Sequence, residues 1–208
     1  MLLYNSQLSG NCYKVRLLLA HLGLAYERRE VSVTDRSDRP ELLGDLNPAL
    51  RVPTLVLDDG RPLAESDAIL CYFADGTPYL PDDRYERAQV LQWLFFEQYN
   101  HEPHIAVARF WALFDVTPPS TADYELKMKA GRAALKAMDA HLTDHPYFVG
   151  ERYTIADIAL YAYTHSAHHV GFDLEAVPEV EAWLERVAQQ PGHIPIKNGP
   201  GSVGWQPQ

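Results

Sequence analysis

The first 76 residues alternate short apolar runs with polar connections. Residues 2–4 predict a strand, and the helix that follows has apolar side chains every three or four positions. These side chains are Val15, Leu18, Leu19 and Leu22. Gly23 predicts the end of that helix, because glycine commonly occupies the left-handed position after a last helical turn.

Three further segments complete this part of the chain. Residues 26–33 predict a second strand, and residues 36–46 a polar connection with a weak helical turn. Residues 51–57 predict a strand that turns at Asp59-Gly60 into an antiparallel hairpin, with a helix after it. This order of elements predicts a small α/β layer in which the first two strands run parallel.

The Val52-Pro53 step stands where the chain enters the predicted hairpin. An X-Pro bond there is a candidate cis peptide, since proline lowers the preference for trans to about 0.5–1 kcal/mol. A cis bond would leave the Val52 backbone N–H and C=O free to pair with an extended peptide. Glu65 and Ser66 begin the next helix, and they offer a carboxylate for an ammonium group and a hydroxyl with helix amides for a carboxylate.

Residues 76–83 contain two prolines and two acidic residues, and they predict a linker that ends in a helix N-cap. The rest of the chain is predicted to be helical. Apolar residues at helical spacing form a stripe that predicts a first helix. Pro103 is expected to kink this helix, and the apolar stripe continues after the kink. The members of this stripe are Ala88, Leu91, Phe95, Tyr99, Phe110, Trp111 and Phe114.

Residues 121–142 predict a second long helix. Its expected buried side chains are Leu126, Leu135, Met138 and Leu142. Thr154 and Asp157 have the spacing of a capping box before the apolar residues 158–163, and Pro178 predicts the start of a last helix. The domain prediction is residues 1–76, a linker over 77–84, and a helical domain over 85–208 with an irregular tail from Ile194, in which Trp205 is a candidate to close a cleft.

Composition narrows the class of protein. The chain has 208 residues, 47% of them hydrophobic, which is ample for a packed core. A formal net charge of −10 argues against nucleic acid and anionic membranes as partners. The two cysteines suit a reducing compartment, and the N-terminus lacks the features of a signal peptide or a spanning helix. These observations predict a cytoplasmic protein.

Several motifs resemble the cytosolic glutathione transferases in their order and separation. They are Ser9-Gly10-Asn11-Cys12, Asn47-Pro48 to Val52-Pro53, Glu65-Ser66-Asp67-Ala68-Ile69, residues 148–159 and residues 178–184. The resemblance covers nearly the whole chain. It implies a thioredoxin-like N-terminal domain followed by an all-helical C-terminal domain, glutathione at the edge of the first domain, and a homodimer. The expected dimer contact is the outer face of the helix after the hairpin, which carries the apolar residues Ile69, Leu70, Tyr72 and Phe73.

The resemblance places the thiol-activating group near Ser9. Free thiols have a pKa of about 8.5, so the enzyme must lower that of glutathione, and a hydroxyl donor at a helix N-terminus can do so. Serine-type members carry Ser at this position, which favours conjugation over disulfide reduction; the alternative is that Ser9 only caps the helix. Asn11 is the second candidate, with a plain N-cap role as its alternative. Cys12 lacks the partner of a dithiol pair and is expected to be packed structure.

The remaining glutathione contacts follow from the same resemblance. Arg51 is a candidate for the glycyl carboxylate, because its planar fork donates two parallel hydrogen bonds. Val52 contributes its backbone pair, Pro53 holds the bond cis, and Glu65 with Ser66 receives the γ-glutamyl end. Leu50 departs from the family pattern, where Gly, His or Lys is more common.

The second substrate is expected to be a small hydrophobic electrophile bound between the domains. The candidate pocket residues are Tyr99, Phe110, Trp111 and Phe114. No metal is expected, because neither the pair His101 and His104 nor the histidines at 165, 168 and 169 match a zinc motif. The expected chemistry needs no organic cofactor.

The leading functional prediction is a glutathione transferase in detoxification. Two alternatives stay open. One is a glutathione-dependent disulfide or peroxide reductase, favoured if Asn11 lies closer to the sulfur than Ser9. The other is a non-catalytic transferase-like ligand-binding protein.

Overall fold

The computed structural model describes residues 1–197, which divide into two compact units. One unit contains Met1–Asp75 with the residues that follow Gln190, and the other contains Gly76–Gln190. None of the helices in this described part is long and apolar enough to cross a membrane. Trp205 and the other residues beyond 197 lie outside the described residues.

In the described residues of the first unit, four strands form a mixed sheet in the order β2-β1-β3-β4. The strands are β1 (Leu2–Asn5), β2 (Glu27–Glu30), β3 (Thr54–Val56) and β4 (Pro62–Ala64). β1 is parallel to β2 and antiparallel to β3, which forms the hairpin with β4. The predicted α/β layer with two parallel first strands is confirmed.

Among the described residues of this unit, three helices accompany the sheet: α1 (Gly10–His21), α2 (Arg39–Leu43) and α3 (Ser66–Ala74). Successive side chains of a strand point to opposite faces, so Leu3 and Tyr4 enter different cores. Leu3 packs in a cluster with Val15, Leu19, Leu55 and Ile69, and Tyr4 in one with Val31 and Leu43. The sheet therefore buries apolar side chains on both of its faces, which stabilises its position between the helices.

The second unit is helical. Its elements are α4 (Arg84–Phe96), a π-helical turn (Glu97–His101), α5 (Glu102–Leu113), α6 (Thr121–Leu142), α7 (Ile155–Thr164), a 3-10 turn (Ala167–Val170) and α8 (Pro178–Ala188). All ten residues of α7 are buried, so this helix is the centre of the unit. Asp83 caps α4 by accepting from the Tyr85 and Glu86 amides, as the linker motif predicted.

The predicted capping box of α7 is confirmed. Thr154 accepts from the Ala156 amide, and Asp157 accepts from the Thr154 amide at 2.9 Å. The buried Asp157 also accepts from the Trp183 indole at 2.9 Å and from the Phe148 amide at 3.2 Å. One carboxyl group therefore ties the start of α7 to α8 and to the loop before it.

Three expectations for the helical unit are corrected. The chain does not simply kink at Pro103, because a π-helical turn precedes α5 and Pro103 lies in the first turn of α5. The stripe of Leu91, Phe95 and Tyr99 is exposed, since α4 buries its opposite face. Leu126 is 60% exposed, although the other three predicted core residues of α6 are buried.

Candidate functional site

Ser9 is the N-cap of α1. Its hydroxyl oxygen accepts from the Cys12 amide at 3.3 Å, and its own amide donates to the Ser6 carbonyl at 3.0 Å. A hydroxyl that accepts one bond still has its O–H to donate. The capping role and the predicted thiol-donor role are therefore compatible, and the positive end of α1 lies at the same place.

Asn11 does not cap α1, because the helix begins at Gly10 and Ser9 holds the cap position. The alternative of a plain N-cap is therefore wrong for Asn11. Its side-chain oxygen lies 3.5 Å from the Ser66 hydroxyl, which donates to it. Asn11 thus joins the first turn of α1 to the first turn of α3.

Cys12 is fully buried and accepts a hydrogen bond from the Ser6 amide at 3.3 Å. Burial raises the pKa of its thiol, because a thiolate loses its hydration there, although the Ser6 amide opposes this. A buried thiol with a raised pKa is a poor nucleophile. The expectation that Cys12 is packed structure is confirmed.

The Val52-Pro53 peptide is cis, as predicted. The preceding loop is held by Asn47, whose side-chain amide donates to the Arg51 carbonyl at 3.1 Å and to the Thr54 hydroxyl at 3.0 Å. Thr54 itself donates to the Arg51 carbonyl at 2.8 Å. Within residues 1–197, the Val52 amide and carbonyl form no hydrogen bond, so both groups are available to an extended ligand.

Leu50 and Arg51 occupy the tip of this loop. Leu50 has a φ of 54°, a left-handed conformation that is uncommon for a leucine. The buried Arg39 holds it there by donating to the Leu50 carbonyl at 2.9 Å, and it also donates to the Ser32 carbonyl at 2.7 Å. Arg51 is exposed, which leaves its side chain free to meet a carboxylate.

Glu65 and Ser66 begin α3. Glu65 is exposed, with a φ of 67°, and Ser66 is buried. The ammonium of Lys14 lies 3.1 Å from the Asp67 carboxylate and 3.4 Å from the Ser66 hydroxyl. Nothing in the sequence marks Lys14 as a site residue, because a lysine in a helix is ordinarily exposed.

The strand pairing explains why these segments converge. Tyr4 near the end of β1 pairs with Thr54 at the start of β3, and Thr54 pairs with Ala64 at the end of β4. The loop to Ser9, the cis peptide and the start of α3 therefore leave the sheet at one end. All the predicted glutathione-contact residues of the first unit are at that end.

Arg16 supports the Ser9 loop from within the protein. Its fully buried guanidinium donates to the Asn5 side chain at 2.6 Å and to the Gln7 carbonyl at 2.9 Å. It also donates to the Ile196 carbonyl at 2.8 Å, and Tyr13 donates to the Ile194 carbonyl at 2.7 Å. Burial lowers the pKa of Arg16. Residues 191–197, which the sequence analysis grouped with the helical domain, are thus bonded to α1.

The four predicted pocket aromatics belong to the helical unit. Tyr99 is 80% exposed, while Phe110, Trp111 and Phe114 are half-buried on α5 and at its end. The Phe110 and Phe114 rings pack at 5.1 Å between centroids. Their assignment to an electrophile pocket stays a prediction.

The histidines have local partners. His101 is buried beside Glu97 and lies 2.8 Å from the Thr164 hydroxyl. Because that hydroxyl donates to the Leu160 carbonyl, His101 is the donor of the bond. The histidines at 165, 168 and 169 do not share a helix, since α7 ends at Thr164. Across residues 1–197, no three His, Cys, Asp or Glu side chains are placed to hold a metal ion.

Comparison with known proteins identifies the family. A family model described as the N-terminal domain of glutathione S-transferase matches residues 8–75, and the corresponding C-terminal domain model matches residues 77–191. The chain belongs to the glutathione S-transferase family. The predicted fold, a thioredoxin-like domain followed by an all-helical domain, is confirmed by these matches.

Solved glutathione S-transferases share this fold closely. One from Pseudomonas fluorescens Pf-5 has a TM-score of 0.90 and 47% identity, and the match covers 94% of this chain and 98% of that chain. A possible glutathione S-transferase from Rhodopseudomonas palustris has a TM-score of 0.89 and 45% identity, covering 99% and 90%. Both are bacterial members of the family.

A curated relative carries a different name. The Escherichia coli K12 protein YfcG, named a disulfide-bond oxidoreductase, is 30% identical over 191 residues, which cover 87% of each chain. Membership of the glutathione S-transferase family therefore leaves open whether a transfer or a disulfide reaction takes place.

Proposed function

We propose that this protein is a glutathione transferase that activates the glutathione thiol and directs the thiolate at a small hydrophobic electrophile. The observation that carries the proposal is the convergence of Ser9 at the start of α1, the Val52-Pro53 peptide and Ser66 at the start of α3. A tripeptide with a central cysteine needs such a set: a thiol donor, a backbone pair and a carboxylate site. The match to the family supports glutathione as that tripeptide.

The proposed chemistry uses the hydroxyl of Ser9. Its oxygen accepts from the Cys12 amide, which fixes the hydroxyl and leaves its hydrogen to donate to the glutathione sulfur. This bond and the positive end of α1 both favour the thiolate and lower the thiol pKa. The thiolate then forms a bond to the electrophilic carbon as the leaving group departs or the double bond accepts the electron pair.

A glutathione-dependent reductase is the second candidate. The identity to YfcG supports it, and so does the place of Asn11 in the first turn of α1, two residues from Ser9. In this reaction the thiolate attacks a disulfide sulfur, a mixed disulfide forms, and the second sulfur leaves as a thiolate, which takes a proton from solvent. Asn11 would then be the principal donor to the glutathione sulfur.

Ultraviolet titration of bound glutathione separates the candidates. Wild type, Ser9→Ala and Asn11→Ala are titrated with glutathione near neutral pH, and thiolate absorbance is recorded beside turnover of an aromatic halide and of a small disulfide. We expect Ser9→Ala to lose the thiolate signal and about 100-fold of its conjugation rate, as when one oxyanion donor is removed. Asn11→Ala should retain most of both.

Other outcomes are equally informative. Loss of thiolate and disulfide turnover only in Asn11→Ala would replace the transferase proposal with the reductase. Absence of thiolate in wild type, with glutathione bound, would indicate a non-catalytic ligand-binding protein.

A further inference from the structure

Lys14 is a fully buried lysine next to the carboxylate-binding end of the proposed site. Its ammonium lies 3.1 Å from an oxygen of Asp67, whose side chain is 13% exposed. Burial of an ammonium is costly unless it is paired and hydrogen-bonded. A hydrocarbon side chain would fill the same interior space without that cost, so the charge requires an explanation beyond packing.

The geometry around Ser66 explains why a charge is present at this position. The Lys14 ammonium lies 3.4 Å from the Ser66 hydroxyl oxygen, and an ammonium can donate but never accept. The positive charge of Lys14 attracts the negative end of the hydroxyl dipole, which turns the oxygen lone pair of Ser66 toward Lys14 and directs the hydrogen away from it. Two acceptors remain for that hydrogen, the side-chain oxygens of Asn11 and Asp67, each 3.5 Å away.

The distances from the Ser66 hydroxyl to Asn11 and to Asp67 are both long for a hydrogen bond. Hydroxyl hydrogen bonds to oxygen ordinarily measure about 2.7–2.8 Å, so neither contact holds the Ser66 hydrogen firmly. A carboxylate at the start of α3 would accept that hydrogen at the ordinary distance and would also meet the amides of the helix N-terminus. Ser66 is thus prepared as a donor before any ligand arrives.

We propose that Lys14 is a positioning residue that orients the Ser66 hydroxyl as a donor to the α-carboxylate of the γ-glutamyl group. This inference rests on the proposed function.

The test is a thermodynamic cycle with two ligands. The variants are Lys14→Met/Asp67→Asn, which removes both buried charges together, Ser66→Ala, and the combination of all three. The ligands are glutathione and the analogue in which hydrogen replaces the γ-glutamyl α-carboxylate, and calorimetry measures each Kd. Circular dichroism and thermal melting establish that each variant is folded.

We expect Lys14→Met/Asp67→Asn to weaken glutathione binding by about tenfold, the size of one charge-assisted hydrogen bond. Binding of the analogue should change less than about twofold, because the analogue lacks the group that Ser66 would bind. In the Ser66→Ala background, the Lys14 and Asp67 changes should have no further effect on glutathione.

An equal loss of affinity for both ligands would show a purely structural role for Lys14 and overturn the inference. The same holds if the Lys14 and Asp67 changes weaken glutathione binding as much in the Ser66→Ala background as in wild type. In either case the proposed function stands as long as wild type binds glutathione. Failure of wild type to bind glutathione would overturn the proposed function as well. Should the Met variant unfold, Lys14→Gln/Asp67→Asn replaces it, with the same ligand-selective loss expected.

Discussion

At the scale of single residues, the environment of a side chain decides its chemistry. Asp157 accepts from Thr154, Trp183 and Phe148, and it is fully buried. Burial raises the pKa of its carboxyl group from 3.8 to about 6, although the hydrogen-bond donors oppose the rise. Because this pKa lies above the unfolded value, the contribution of Asp157 to stability is complete below 3.8 and is lost as the pH rises through about 6.

The change Asp157→Asn tests this assignment. The variant should be less stable throughout, since an amide nitrogen cannot accept from the Thr154 amide. Between about pH 8 and pH 5, the wild type should gain about 1.4 kcal/mol of unfolding free energy relative to the variant. Urea denaturation at several pH values measures the difference. Asp144→Asn, at an exposed position, is the control, and a pH-independent difference would show that Asp157 remains ionised.

At the scale of elements, α6 depends on close approach to its neighbours. Gly131 lies inside this helix, where glycine ordinarily costs about 1 kcal/mol relative to alanine. A Cβ at this position would lie 2.5 Å from the ring of the buried Phe172 and 3.3 Å from Ile105. The side chain of Phe172 occupies the space that a methyl group would need.

Gly131→Ala is therefore expected to destabilise the protein by about 1–3 kcal/mol, because overpacking outweighs the gain in helix propensity. Chemical denaturation measures the change. Phe172→Leu in the same background should recover part of the loss, since the shorter side chain vacates the ring position. A more stable Gly131→Ala variant would show that the ring moves aside at little cost.

At the scale of the whole molecule, the exposed stripe on α4 and the π-helical turn is unusual. Phe95 is 70% exposed and Tyr99 is 80% exposed, with Leu91 one turn earlier. Aligned apolar side chains of this size commonly mark an interface. We propose that a second copy of the chain covers these side chains. Of the α3 residues expected at a dimer contact, Ile69 and Leu70 belong to the core, Phe73 is partly buried, and Tyr72 is half-exposed.

Phe95→Glu should prevent this association. A buried, unpaired carboxylate at the centre of an interface costs on the order of 2 kcal/mol or more, so the dimer should dissociate at micromolar concentration. Analytical ultracentrifugation of wild type and variant measures the change. Leu126→Glu, the same chemical change at an exposed position of α6, should leave association intact. A wild-type monomer at micromolar concentration would contradict the proposal.

Local interactions explain what the sequence could predict. The cap of α1 at Ser9, the end of that helix at Gly23, the capping box of Thr154 with Asp157 and the hairpin turn at Gly60 each involve residues a few positions apart. Periodicity also placed the long helices, although it joined α4, the π-helical turn and α5 into one kinked helix. It did not show which face of α4 is buried, because both faces carry large apolar residues.

Tertiary structure decided the features that depend on distant segments. Only the pairing of β1, β3 and β4 brings the Ser9 loop, the cis peptide and Ser66 to one end of the sheet. Only folding buries Lys14 and Arg16, whose partners lie far along the chain at Asp67 and Ile196. The sequence by itself determined the elements, their caps and the family, since these depend on neighbouring residues. Burial, the partners of buried charges and the assembly of the site depend on long-range packing, which no local pattern records.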